Sequence, residues 1–109
     1  MGRCLASAAA LVLSSQLALA ALVDGNKLYD HCKNKSLICL GYLEALADTI
    51  KKEAGIVGTE AQACIPDGTQ VSQLYEVAMK ELTDKPQQRT APASFIIIAT
   101  FSKAWPCPR

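Results

Sequence analysis

The sequence predicts an all-α fold, a small disulfide-stapled bundle of about four helices that follows a cleaved signal peptide. Two observations predict the helices and the export: an apolar leader ends in small residues, and apolar side chains then recur at helical spacing. Four cysteines follow the leader: Cys32, Cys39, Cys64 and Cys107. Because an exported chain meets an oxidising compartment, these cysteines are expected to form disulfides.

Residues 1–20 are typical of a secretory signal peptide. Arg3 supplies a positive charge, residues 4–13 are almost all small or apolar, and Ala18-Leu19-Ala20 fits the small-x-small rule of signal peptidase. Polar residues interrupt the apolar stretch, so the uninterrupted apolar segment is shorter than a membrane-spanning helix requires. We therefore expect one exported domain at residues 21–109 that leaves the membrane after cleavage.

The charge balance argues against nucleic-acid binding. The chain has 11 Lys and Arg against 10 Asp and Glu, so loss of Arg3 with the leader leaves no net charge. Nucleic-acid binders are normally basic. The sequence also lacks the Gly-x-Ser-x-Gly, Gly-rich phosphate-loop and His-Glu-x-x-His motifs, so neither an enzyme nor a cofactor is predicted.

A short first helix is predicted after Asp24, whose side chain can accept hydrogen bonds from free N–H groups at a helix start. We expect this helix to run to about Lys33. Its inward-facing residues are expected to be Leu28, Tyr29 and Cys32. Asn34-Lys35-Ser36 then forms a tight connection.

The second helix is predicted over about residues 37–54, because apolar residues recur there every three or four positions. They form one helical face: Cys39, Leu43, Leu46, Ile50 and Ala54. Gly55 and Gly58 end the helix and begin a loop that reaches Gly68.

A third helix is predicted over about residues 70–83. Its apolar stripe comprises Val71, Leu74, Tyr75, Ala78, Met79 and Leu82. Thr69 or Asp67 is the candidate N-cap residue, and Pro86 prevents the helix from continuing.

The last element is predicted to be a fully buried helix over residues 91–104, with Pro92 in its first turn. Its β-branched run at residues 94–101 would also fit a buried strand. A single strand would leave its backbone groups unpaired, and no other segment alternates convincingly, so the helix is preferred.

The order of the helices selects one of the three pairings that four cysteines allow. Short connections make neighbouring helices antiparallel, so Cys32 and Cys39 meet at one end of the bundle. Cys64 lies at the other end, and the fourth helix returns there before Cys107. The predicted disulfides are therefore Cys32–Cys39 and Cys64–Cys107.

Zinc binding and thiol catalysis are the alternative roles for the cysteines. The spacing is Cys-x6-Cys, whereas structural zinc sites usually use Cys-x2-4-Cys. A sulfur held in a disulfide cannot attack a substrate. His31 is the one histidine of the chain and is interpreted as an ordinary surface residue, so no metal site is predicted.

Several short sequence segments, taken in order, resemble those of a known family. They are Leu37-Ile38-Cys39-Leu40-Gly41-Tyr42, Cys64-Ile65-Pro66-Asp67-Gly68-Thr69, Lys85-Pro86-Gln87-Gln88-Arg89 and Ala104-Trp105-Pro106-Cys107-Pro108. This set is similar to the Rap/Tai family of periplasmic immunity proteins, and the resemblance covers about residues 25–108. It implies a small, mostly helical fold, and Gln70 stands where a threonine cap is common in the family.

The resemblance implies that the protein binds a peptidoglycan amidase effector delivered by type VI secretion and occludes its catalytic cleft. It also implies a homodimer. We expect the contact in the loop at residues 84–90, with these partner-binding residues: Lys85, Gln87, Gln88 and Arg89. Lys33 and Lys35 are expected at the same end, where they would extend a basic rim.

Two other classes of function fit the same sequence. The apolar run at residues 95–101 would suit a carrier of a small apolar ligand. A structural protein exported without a toxin partner would need the same stable fold. A neighbouring gene for a cysteine amidase would favour the immunity function over both.

Overall fold

The computed structural model describes residues 23–54 and 62–108, whose secondary structure is four α-helices and one short 3₁₀ turn. In chain order they are α1 (Gly25–Lys33), α2 (Leu37–Ala54), α3 (Val71–Asp84), the 3₁₀ turn Pro86–Gln88 and α4 (Ala93–Ala104). The predicted all-α class is confirmed. The predicted signal peptide at residues 1–20 lies outside the described residues.

All four helices contribute to one hydrophobic core, and each contacts the other three. The largest fully buried side chains come from every helix: Leu28, Leu43, Ile50, Leu82, Ile97 and Phe101. The core face of α2 differs slightly from the predicted one, since Leu46 is half-buried and Ala47 is buried instead. Cys39, Leu43, Ala47 and Ile50 therefore form the buried face of α2.

The start of α1 is held by the segment that leads into α4. Asp24 is the N-cap residue, as predicted, and its carboxylate accepts a hydrogen bond from the Lys27 N–H at 2.8 Å. The Gly25 N–H donates to the Ala91 carbonyl at 3.0 Å, and the Asn26 N–H donates to the Arg89 carbonyl at 2.8 Å. These bonds satisfy donors that a helix start leaves free, and they join the start of α1 to the segment that precedes α4.

Gly25 allows this close approach because it has no side chain. A Cβ atom at this position would lie 2.7 Å from the Arg89 Cα and 2.6 Å from the Ile96 Cδ1. Both distances are shorter than van der Waals contact, and one involves backbone that cannot rotate away. A larger residue would therefore move α1 away from Arg89 and from Ile96 of α4.

The corner between α1 and α2 is tight, as predicted. The Lys35 N–H donates to the Cys32 carbonyl at 3.0 Å and the Ser36 N–H donates to the His31 carbonyl at 3.3 Å, the hydrogen-bond pattern of a Schellman motif. Lys35 has a φ of 51°, the left-handed conformation that glycine usually adopts there. The Ser36 hydroxyl oxygen then accepts from the Cys39 N–H at 3.2 Å, which begins α2.

The start of α3 corrects the predicted cap. Neither Thr69 nor Asp67 caps the helix, because the Thr69 hydroxyl donates to the Pro66 carbonyl at 2.7 Å and Asp67 pairs with Lys51 at 3.3 Å. Gln70 is the N-cap residue, and its N–H donates to the Gln73 side-chain oxygen at 2.9 Å. Gln70, which stands in place of threonine, is thus held by a hydrogen bond to the side chain of Gln73 in the first turn of α3.

α4 is a helix, as preferred over a strand, but its start and burial differ from the prediction. It begins at Ala93 rather than at residue 91, because Pro92 is extended and forms an isolated antiparallel bridge with Asp24. Ala93, Ile96, Ile97, Thr100 and Phe101 are buried, whereas Phe95 is 70% exposed. In so small a bundle every helix has a face toward solvent, so α4 is not fully buried.

Both disulfides have the predicted pairing. The Sγ–Sγ distances are 2.05 Å for Cys32–Cys39 and 2.07 Å for Cys64–Cys107. Cys32 and Cys39 are 0% exposed and belong to the core, whereas Cys64 is exposed and Cys107 is half-buried. The second bridge is reinforced by a 2.8 Å hydrogen bond from the Cys64 N–H to the Trp105 carbonyl.

Candidate partner-binding surface

Arg89 lies against α1 rather than in open solvent. Its guanidinium carbon sits 4.0 Å from the centre of the Tyr29 ring, and the ammonium of Lys33 lies 5.3 Å from the same ring. The Arg89 Nε is buried and has no hydrogen-bond partner among the described residues. The aromatic face attracts both cations and fixes the plane of the guanidinium group.

Lys35 lies over a second tyrosine near the same end of α1. Its ammonium is 5.0 Å from the centre of the Tyr75 ring, and the Tyr75 hydroxyl donates to the Cys32 carbonyl at 2.9 Å. The ring is therefore anchored beside the buried disulfide. We call Tyr29, Lys33, Lys35, Tyr75 and Arg89 the tyrosine–cation surface.

Lys85 points to a different set of partners. It donates to a Glu81 carboxylate oxygen at 2.8 Å, and Lys103 lies 4.0 Å from the same oxygen. The hydrogen bond to Glu81 is the main reason that the pKa of Lys85 is raised above its usual value. Of the four cations in the predicted basic rim, Lys85 is therefore engaged along α3, while the other three contact tyrosines.

The two predicted glutamines lie in the 3₁₀ turn. Gln87 and Gln88 are both exposed, and the Gln88 N–H donates to the Lys85 carbonyl at 3.1 Å. The Arg89 N–H donates to the Pro86 carbonyl at 3.2 Å. The predicted contact loop thus has an ordered backbone that presents two amide side chains to solvent.

The cysteines and His31 form no reactive group in the described part of the chain. All four predicted cysteines are in disulfides, so none carries the thiolate that metal binding or nucleophilic attack requires. His31 is half-buried, and its carbonyl oxygen accepts a 2.9 Å hydrogen bond from the Ser36 hydroxyl. No three His, Cys, Asp or Glu side chains within residues 23–54 and 62–108 are placed to share a metal ion.

Three clefts on the described surface differ from a lipid-binding cavity. They are open, measure about 140, 400 and 270 Å³, and lie beside α2, the Cys64 loop and α3. Each is lined by at least two charged residues; the first has Glu44, Asp48 and Lys51. A carrier encloses most of its apolar ligand, whereas these clefts are open to solvent, so they do not favour the carrier alternative.

Sequence reasoning missed an exposed apolar group at the starts of α2 and α4. Leu37, Ile38 and Phe95 are 86%, 63% and 70% exposed. Tyr42 of α2 contacts Ser94 at the start of α4; burial raises the pKa of Tyr42, although its hydrogen bond with Ser94 opposes the rise. The apolar run of α4 concealed Phe95, because periodicity cannot orient a helix that is apolar on most sides.

A model of the Rap1a immunity protein family matches residues 24–107. The chain belongs to this family. The matched region begins at the N-cap residue of α1 and ends at Cys107, so it contains all four helices and both disulfides of the Rap1a-family domain. No curated protein and no solved structure matches the chain.

The Rap1a-family domain contains the tyrosine–cation surface in full, including Arg89 from the predicted contact loop. Its described helices include none that is long and apolar enough to cross a membrane. Tyr29 and Tyr75 were predicted only as inward-facing residues. Their half-buried rings, each beside a lysine or arginine, were not apparent because Lys35 and Arg89 are far from Tyr75 and Tyr29 in the sequence.

Proposed function

We propose that this Rap1a-family protein is a periplasmic immunity protein that binds and occludes a peptidoglycan amidase effector delivered by type VI secretion. The observation that carries the proposal is the family match over residues 24–107. The disulfides support periplasmic action, because such bonds form and persist outside the cytoplasm.

An inhibitor of this kind needs a rigid surface rather than chemistry of its own. A pre-ordered surface loses little conformational entropy on binding, which leaves more of the interaction energy for affinity. Two disulfides and the hydrogen bonds that join α1 to Arg89 and Ala91 supply such rigidity. Occlusion of a cleft would require an interface of roughly 1,600 Å² in total.

The proposal is tested with peptidoglycan amidase effectors of type VI secretion, each exported to the periplasm of a sensitive host. We expect the full chain with its leader to restore growth, and the form that lacks residues 1–20 to fail. Purified protein should co-elute with the amidase and inhibit its hydrolysis of isolated peptidoglycan. Protection by the leaderless form, or amidase activity unchanged at a molar excess of this protein, would refute the proposal.

A homodimer is part of the same proposal, because the family resemblance implies one. Sedimentation equilibrium of the mature protein measures its mass directly. A mass of one chain at all concentrations would remove the dimer from the proposal and leave inhibition by a monomer.

A further inference from the structure

Arg89 and Lys35 have no carboxylate within ion-pair distance among the described residues. Most of the other described basic side chains have one, and the pairs are Lys33–Asp30, Lys51–Asp67, Lys80–Asp84, Lys85–Glu81 and Lys103–Glu81. Arg89 and Lys35 instead lie 4.0 and 5.0 Å from tyrosine ring centres. Each therefore has a positive charge that is positioned by an aromatic ring and left available to an anion.

The position of Arg89 is set by its backbone as well as by its side chain. Its carbonyl accepts the Asn26 N–H at 2.8 Å, and Gly25 packs directly on its Cα. The guanidinium then lies on Tyr29, with its Nε buried. A planar guanidinium held in one orientation offers its remaining N–H groups as a fork that matches a carboxylate.

Lys35 occupies a position where a glycine would be less strained. Its φ of 51° is in the left-handed region, which disfavours a residue with a side chain. Its ammonium lies over Tyr75, whose hydroxyl is bonded to the Cys32 carbonyl. Tyr29 belongs to α1, and the Tyr75 hydroxyl bonds α1 at Cys32, one helical turn further along, so α1 links the ring that contacts Arg89 to the ring that contacts Lys35.

We propose that Arg89 and Lys35 are a two-point binding site for carboxylates on an acidic segment of the partner protein, which docks across Tyr29 and Tyr75. This inference rests on the proposed immunity function and names the chemistry of the contact. An acidic protein segment fits better than a nucleic acid or an anionic membrane. Both of those would favour a broad excess of positive charge, whereas this chain has 11 basic and 10 acidic residues.

A capped hexaglutamate peptide is the probe, titrated into the ¹⁵N-labelled mature protein at low salt. We expect the largest amide shifts at Tyr29, Lys35, Tyr75 and Arg89. The double variant Arg89→Gln/Lys35→Gln should weaken the apparent Kd by about tenfold, because charge-assisted hydrogen bonds are the stronger class. Arg89→Lys should weaken it less, since it keeps the charge and loses only the fork.

The matched control is Lys80→Gln/Lys103→Gln, which removes the same net charge from exposed side chains near α3 and α4. It should change the Kd by less than about twofold, as expected for screened surface charges. Lys35→Gly is a second variant that removes the ammonium and relieves the φ of 51°, so it separates lost binding from lost folding. It should fold and still bind the peptide more weakly.

Equal weakening by both double variants would overturn the inference, because it would show diffuse charge attraction. Phosphatidylglycerol vesicles that bind the wild type but not Arg89→Gln/Lys35→Gln, with no response to the peptide, would overturn it in favour of a lipid surface. If the double variant inhibits the amidase as well as the wild type does, this site is wrong and the immunity function stands. If the peptide binds here but the amidase does not bind at all, the immunity function is wrong and the carboxylate site stands.

Discussion

The Cys32–Cys39 disulfide lies in the hydrophobic core, whereas the Cys64–Cys107 disulfide lies at the surface. Both cysteines of the first pair are 0% exposed, while Cys64 is exposed and Cys107 is half-buried. The first pair joins residues seven apart in sequence and the second joins residues 43 apart. The same covalent bond therefore acts in two different physical settings.

The comparison shows that loop length and burial contribute differently to the stability that each disulfide provides. By loop entropy alone the short Cys32–Cys39 loop is worth about 2.5 kcal/mol and the longer Cys64–Cys107 loop about 4 kcal/mol. The cysteines of the first pair also belong to the same buried hydrophobic cluster as Leu28 and Leu43. We expect that packing contribution to make the shorter bridge the more important one.

The largest expected effect comes from the buried pair. Cys32→Ala/Cys39→Ala should lower the free energy of unfolding by about 4–5 kcal/mol, from lost loop entropy and lost core volume. Cys32→Ser/Cys39→Ser should cost about a further 2 kcal/mol or fail to fold, because it buries two hydroxyls without partners. Urea unfolding followed by circular dichroism measures both. Alanine and serine variants of equal stability would contradict the core assignment.

Removal of the Cys64–Cys107 disulfide should lower the free energy of unfolding by less, and alanine and serine should have the same effect there. Cys64→Ala/Cys107→Ala should lower the free energy of unfolding by about 3–4 kcal/mol. The serine version should match it within about 0.5 kcal/mol, because water can reach the hydroxyls. In the native wild type, a dithiol reductant should also free Cys64 and Cys107 first, as alkylation and mass analysis would show. Earlier reduction of Cys32–Cys39 would contradict the difference in burial.

A smaller effect tests the close packing at the α1 end of the molecule. Gly25→Ala should lower the free energy of unfolding by about 2 kcal/mol, since its Cβ would lie 2.7 Å from the Arg89 Cα and overpack the contact. Gly41→Ala is the matched control, because a Cβ there meets nothing within 4 Å. It should stabilise the protein by about 0.5–1 kcal/mol through helix propensity alone. Two substitutions of the same sign would contradict the packing of α1 on Arg89.

The smallest effect concerns the corner beside the buried disulfide. Lys35→Gly should raise the free energy of unfolding by about 1 kcal/mol, because glycine adopts the left-handed conformation without strain. Asn34→Gly, at a φ of −102°, should bring no such gain and serves as the control. Thermal unfolding of the two variants side by side measures the difference. A loss of stability in Lys35→Gly would mean that the contact with Tyr75 outweighs the backbone strain.

The sequence by itself determined the helices and the pairing of the cysteines. Asp24 as a cap, most of the buried face of α2 and the break before Pro86 are signals carried by a few neighbouring residues. The pairing followed from helix order, because short loops leave few ways to arrange four helices.

Only the tertiary structure decided which cations remain available and which apolar residues face water. Lys85 and Arg89 are four residues apart, yet one pairs with Glu81 and the other lies on Tyr29 of a distant helix. Phe95 and Phe101 belong to one apolar run, yet Phe95 is exposed and Phe101 is buried. Burial and charge partners depend on contacts between residues far apart in the chain, and local periodicity carries no information about those contacts.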